Sequence, residues 1–207
     1  MKHLKKLGLI GLIMAFMAPL AGNAQATALT SGGVTYTGEF TATATDVILH
    51  RKTFAEGLWG ITCNKSTMTG KVVNHGLAVT ATVQLTSILL MECVSSVHPY
   101  TEAKILKPGV LEIHTAPGDT GGTGGNGTVT WSGPFELTTY IGQPGYAEHC
   151  IFKLSNVDIG SITGSKNTGA TAKLNVDAFL STSLGCGLSA ELTASYTINT
   201  PDNLNIH

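Results

Sequence analysis

Apolar and polar residues alternate with a period of two along most of this chain, which predicts strands that bury one face and expose the other. Across residues 34–44, Val34, Tyr36, Phe40, Ala42 and Ala44 are apolar, and the positions between them are threonine or glutamate apart from one glycine. Leu77, Val79, Ala81, Val83 and Leu85 repeat the pattern against Thr80, Thr82, Gln84 and Thr86. Two later runs follow it, Ala170 to Leu180 and Leu188 to Ile198, each with a second face rich in threonine and serine. At residues 87–91, SILLM, the phase breaks, which predicts a bulge or a strand buried on both faces. Shorter strands are expected at 59–63, 110–113, 129–131, 135–141, 150–154 and 157–162, and no stretch carries a 3.6-residue period. About nine or ten strands, each with one apolar face, point to an all-β antiparallel fold. We expect a β-sandwich of jelly-roll or immunoglobulin-like type, with a sheet closed on itself as the other solution.

The two halves of the chain look alike. VTYTGEF at 34–40 recurs as VTWSGPF at 129–135, Thr69-Gly70 recurs as Thr163-Gly164, and Gly76 and Gly169 each precede a cysteine by 17 residues. One unit over 27–207 is expected, with two similar halves, 27–115 and 128–207, joined by a Gly-rich loop at 116–127. Chance alignment of Thr-rich strands is the other explanation of the likeness. The loop lacks the Gly-Lys-Ser/Thr ending of a phosphate cradle, and as a single copy with Asn126 where an acid belongs it does not fit a calcium-binding repeat.

The first 26 residues change the picture of compartment. Lys2, Lys5 and Lys6, an apolar stretch over 7–20 and the ending Ala24-Gln25-Ala26 predict a secretory signal cut after Ala26. The apolar stretch is shorter than the roughly 20 residues of a spanning helix and contains Gly8, Gly11 and Pro19. The mature chain is therefore expected to be secreted, extracellular or periplasmic, with no transmembrane segment. It would carry nine basic and 13 acidic side chains, thinly spread, which argues against nucleic acid as a partner.

Four cysteines, Cys63, Cys93, Cys150 and Cys186, lie in the exported part, and an even count in an oxidising compartment favours disulfides. Three connectivities are open; the half-repeat favours Cys63 with Cys93 and Cys150 with Cys186. The spacings contain no Cys-x-x-Cys knuckle for a metal, and a catalytic thiol would have to stay reduced. Glu148-His149-Cys150 resembles a dyad on paper, but neighbours in a strand face opposite ways.

Other chemistry is thinly represented. No His-Glu-x-x-His or Gly-x-Ser-x-Gly occurs, His98 and His114 are the one pair that a hairpin would bring together, and the carboxylates are dispersed. No catalytic residue, metal or cofactor is expected. Tyr140 and Tyr146 flank the loop IGQPG and are the candidate ligand contacts, whereas Tyr36 and Trp131 share phase with core positions.

ITCNKSTMTGKV at 61–72 and LGCGLSAELTASYTINTP at 184–201 resemble segments of exported four-cysteine bacterial β proteins, and the chain is also similar to the secreted protein activator of alkane oxidation of pseudomonads. The resemblance implies a non-catalytic extracellular or surface role, in biofilm or in contact with apolar material, and carries over no functional residue. We therefore expect a structural, adhesive or surface-interaction protein whose partner is a cell surface, a glycan, apolar material or itself. A pilin-like subunit assembling by strand addition and a carbohydrate-binding or hydrolytic protein are the alternatives.

Overall fold

The computed structural model describes residues 27–52, 59–73, 80–95, 100–115, 125–142, 148–164, 169–181, 186 and 189–207. They form fourteen strands: β1 (Leu29–Ser31), β2 (Val34–Thr35), β3 (Glu39–Lys52), β4 (Trp59–Val73), β5 (Ala81–Ser95), β6 (Tyr100–Lys107), β7 (Val110–Thr115), β8 (Asn126–Ser132), β9 (Phe135–Gly142), β10 (Glu148–Leu154), β11 (Val157–Thr163), β12 (Thr171–Ser181), β13 (Ser189–Thr200) and β14 (Leu204–Ile206). Every pairing is antiparallel. The signal segment 1–26, Leu77, Val79, His75, His98, Tyr146 and most of the Gly-rich run lie outside the described residues; Asn126 to Thr128, at the end of that run, already belong to β8.

The all-β antiparallel expectation holds, with two disulfides, but the sandwich of nine or ten strands does not. Strands in the order β11-β8-β7-β5-β4-β3-β13-β12 form one sheet, and β12 returns to β11 through rungs from Gly160↔Leu174 to Thr163↔Thr171, closing an eight-stranded barrel. Alternation predicts one buried face per strand, and two facing sheets or one curled sheet satisfy it equally. What decides is whether the last strand can reach the first. It does so at Gly160, whose φ is +151° and where a Cβ would lie 1.9 Å from the carbonyl oxygen of Lys173.

The shared strands β3, β4, β5, β12 and β13 are 11 to 15 residues long and run past the part of the wall that β7, β8 and β11 complete. Beyond it, β12 pairs with β10 through two rungs, Phe152↔Ser181 and Lys153↔Leu180, and the sheet continues through β9 to β6. β6 lies beside β5 with no ladder between them. Cys63 on β4 is bonded to Cys93, its direct rung partner on β5, and Cys150 on β10 is bonded to Cys186 between β12 and β13. A second, three-stranded sheet, β14-β1-β2, joins the two ends of the described chain: Ala28 and His207 exchange backbone hydrogen bonds of 2.8 and 3.0 Å, and Leu29, Leu204 and Ile206 are fully buried.

Inward-facing side chains fill the barrel, as its strand number allows. Trp131, Ile61, Ile113, Ile159 and Ile198 of its strands are buried; Trp131 also meets Phe135 of β9 edge-on at 4.4 Å and donates its indole N–H to the carbonyl of Pro108. The void left among Phe40, Met68, Leu111, Ile162 and Tyr196 is about 20 Å³, room for one water at most, and its walls are apolar. Two expectations shift. Val34 is exposed because β2 is a two-residue strand of the small sheet, and the break expected at 87–91 is a bulge at Thr86, between the rungs Thr69↔Ser87 and Gly70↔Leu85.

Candidate functional site

The outer faces of β12, β13, β3 and β4 are the polar halves of the alternating strands. Threonine serves there because its β-branch fits a pleated surface while its hydroxyl stays hydrated. Register aligns these residues into rows across the barrel: Thr171↔Thr197, Thr197↔Thr43, Thr43↔Thr67 and Thr67↔Leu89 form one, and Lys173↔Ser195 and Ser195↔Thr45 belong to the next.

At that second row the strands are irregular together. Asp46 has φ 54° and lies where β3 carries an extra residue against β13, between the rungs Thr193↔Ile48 and Ser195↔Thr45. On β4 the buried positions change phase from Ile61 and Cys63 to Ser66 and Met68, with Asn64 and Lys65 both exposed. On β5, Glu92 has φ 54° between the rungs Cys63↔Cys93 and Lys65↔Met91. The bulge bends β3, and the buried positions of β3, β4 and β5 change phase together at this level, the waist of the wall.

Two adjoining concavities occupy the outside of this waist. One, of about 330 Å³, is lined by Thr43, Thr45, Lys65, Thr67, Ser195 and Thr197, with Met91 at one side. The other, of about 450 Å³, shares Thr45 and Ser195 and continues to Asp46, Lys173, Asn175 and Thr193. Together they make a trough across β12, β13, β3, β4 and β5. Thr43 donates to Asn199 Oδ1 at 3.0 Å, but the hydroxyls of Thr45, Thr67, Thr193, Ser195 and Thr197 have no side-chain partner among the described residues. Lys65 pairs with Glu92 at 2.6 Å; both are exposed, so the pair adds little stability, yet it neutralises that end of the trough.

Under the floor, Ser66 and Tyr196 are buried and their hydroxyls lie 2.8 Å apart. Burial pushes the Tyr196 phenol above its ordinary value, and the bond to Ser66 opposes this in part. Ser66→Ala strands that phenol and is expected to cost about 1–3 kcal/mol in chemical denaturation. Because the folded pKa is raised, the stability this phenol contributes is complete below the unfolded pKa of about 10 and is lost as pH rises through the folded pKa. Tyr196→Phe should therefore flatten the alkaline limb of the stability–pH curve.

The residues singled out in the sequence fall elsewhere. All four cysteines are in disulfides, so none is a thiol nucleophile. Tyr140 on β9 is half-buried, and its ring stacks on exposed His149 of β10, its rung partner, at 4.6 Å and 4°. One face of Tyr140 is thus already covered, and Tyr146 lies outside the described residues. His149 and Cys150 face opposite ways, exposed and buried. His114 is half-buried on β7, and the described residues contain no cluster of three or more His, Cys, Asp or Glu side chains.

The trough residues Thr43, Thr45, Thr67, Ser195, Lys65 and Lys173 were visible in sequence only as the polar half of an alternation. Nothing in the spacing told which of them share a row. Comparison of the chain with known protein families, with characterised proteins and with solved structures finds no match, so the trough has no counterpart from which a ligand could be carried over.

Proposed function

We propose that this is a secreted or surface-associated, non-catalytic interaction protein that engages a polymeric surface through the hydroxyl-lined trough on the outside of its barrel. The observation that carries the reading is the set of unpartnered Thr and Ser hydroxyls brought into register at a backbone-built waist. The small interior void among the described residues, about 20 Å³, supports it too, because it is too small for a ligand. The two disulfides suit the oxidising compartment in which such a surface would work. Disulfide-intact protein incubated with bacterial cells, insoluble polysaccharides and hydrophobic beads is expected to be depleted from solution by at least one of them. Full recovery in the supernatant from all three would remove the proposal.

A second reading is self-assembly by strand addition, favoured by the seam where β5 and β6 lie side by side without a ladder and expose Leu89, Met91, Val94 and Leu106. Electron micrographs of concentrated protein would then contain filaments. Monomers alone would discard this second reading and leave the first in place.

A further inference from the structure

We infer that the trough takes an uncharged, extended polyhydroxylated chain, a glycan strand, laid across the β-strands at the waist. This rests on the interaction reading above and names its ligand.

The direction of the trough is the first argument. Its lining comes from five neighbouring strands at one registered level, with Lys173↔Ser195 and Ser195↔Thr45 on one side and Lys65↔Met91 on the other. Neighbouring strands are about 4.8 Å apart, so β12, β13, β3 and β4 offer polar groups at that interval over about 14 Å, with Met91 of β5 beyond them. A linear chain of pyranose rings presents hydroxyls at a comparable interval, one ring to each strand.

The second argument is chemical. A threonine presents a hydroxyl that both donates and accepts, beside a methyl group. Sugar rings present the same mixture, with hydroxyls around the edge and C–H on the faces. Thr45 and Ser195 sit where the two concavities join, and neither hydroxyl is taken by another side chain.

Charge narrows the class. Lys65 is held by Glu92, and Lys173 shares its concavity with Asp46, so both signs are present at each end and neither a polyanion nor a polycation is favoured. An extended peptide would require a free strand edge, and at this level β12, β13, β3 and β4 are laddered on both sides, while the unladdered side of β5 lies against β6. An apolar ligand would find Met91 at one end and hydroxyls along the rest. The concavity is also written into the backbone: Asp46 and Glu92, neither of them glycine, hold left-handed conformations at the same level. Such positions and bulges concentrate at functional sites.

The test is titration calorimetry of the full chain with neutral cello-, xylo- and chito-oligosaccharides of increasing length. Affinity for at least one series should rise with length until the chain spans the five strands, then level off, and should not change as salt is raised. The double substitution Thr45→Val with Ser195→Ala, which breaks no internal side-chain bond, should weaken binding roughly tenfold or more at an unchanged unfolding midpoint. Thr86→Val, on the same outer surface but outside the trough, should bind as the parent does. No binding in any series, binding that falls with salt, or full affinity in the double variant would each overturn the inference. If the double variant still coats the surfaces that retain the parent protein, the interaction reading survives and the assignment to the trough does not.

Discussion

Replacing Cys150 and Cys186 together by alanine is expected to lower stability by about 4 kcal/mol and to release the β6-β9-β10 arm from the barrel. The chain-entropy model assigns nearly the same value to both bridges, because they close loops of similar length, with sequence separations of 36 and 30. The structure breaks that equality. Cys63 and Cys93 are rung partners within the ladder of β4 and β5, two strands of 15 residues each, so the native pairing there does not depend on the bridge. Among the described residues, the arm carrying Cys150 is laddered to the barrel by two rungs, Phe152↔Ser181 and Lys153↔Leu180. Both cysteines of this bridge are fully buried, so their removal also leaves a cavity. Hydrogen exchange should show lost protection confined to β6, β9 and β10 in the Cys150→Ala/Cys186→Ala protein and no such regional loss in Cys63→Ala/Cys93→Ala. Equal and global loosening in both would mean that the bridges act on the unfolded chain alone.

Gly160→Ala is the second large effect. Gly160 lies in β11 at a register shift against β8 and is the first rung of the β11–β12 pairing that closes the barrel. Its φ of +151° suits glycine, and the added methyl would sit 1.9 Å from the Lys173 carbonyl oxygen, a backbone atom with no side-chain freedom to yield. Backbone strain of about 1–3 kcal/mol and steric crowding of about 1–3 kcal/mol act together, so a loss of about 3 kcal/mol or more is expected in urea denaturation. Circular dichroism should still report β-structure, because the remaining seven ladders of the ring do not involve this contact. A variant as stable as the parent would show that closure does not depend on the approach at Gly160.

Much of this architecture is legible residue by residue. Ala190, Leu192, Ala194, Tyr196 and Ile198 alternate in sequence and are buried in β13; Cys150, Phe152 and Leu154 do the same in β10. Alternation is local, set by the geometry of a single strand, and it survives into the folded molecule. Strand ends and edges were harder to read. The strand expected at 59–63 continues to Val73 because a coordinated phase change at Asn64 and Lys65 hides the continuity from a period-two reading. Tyr140, chosen as a ligand contact flanking a loop, lies in the strand expected at 135–141 with one face of its ring stacked on His149.

The chain by itself determined its strand-forming faces, its composition of threonine and sparse charge, and the set of cysteines available for crosslinking, since each depends on residue type and spacing of two. Barrel rather than sandwich, and a trough rather than a scatter of hydroxyls, were decided by tertiary structure. Both turn on register between strands: β11 reaching β12 past a glycine, and the bulge of β3 falling level with the left-handed Glu92 of β5. Register is a property of pairs, fixed when whole faces pack at once, and no single strand encodes it.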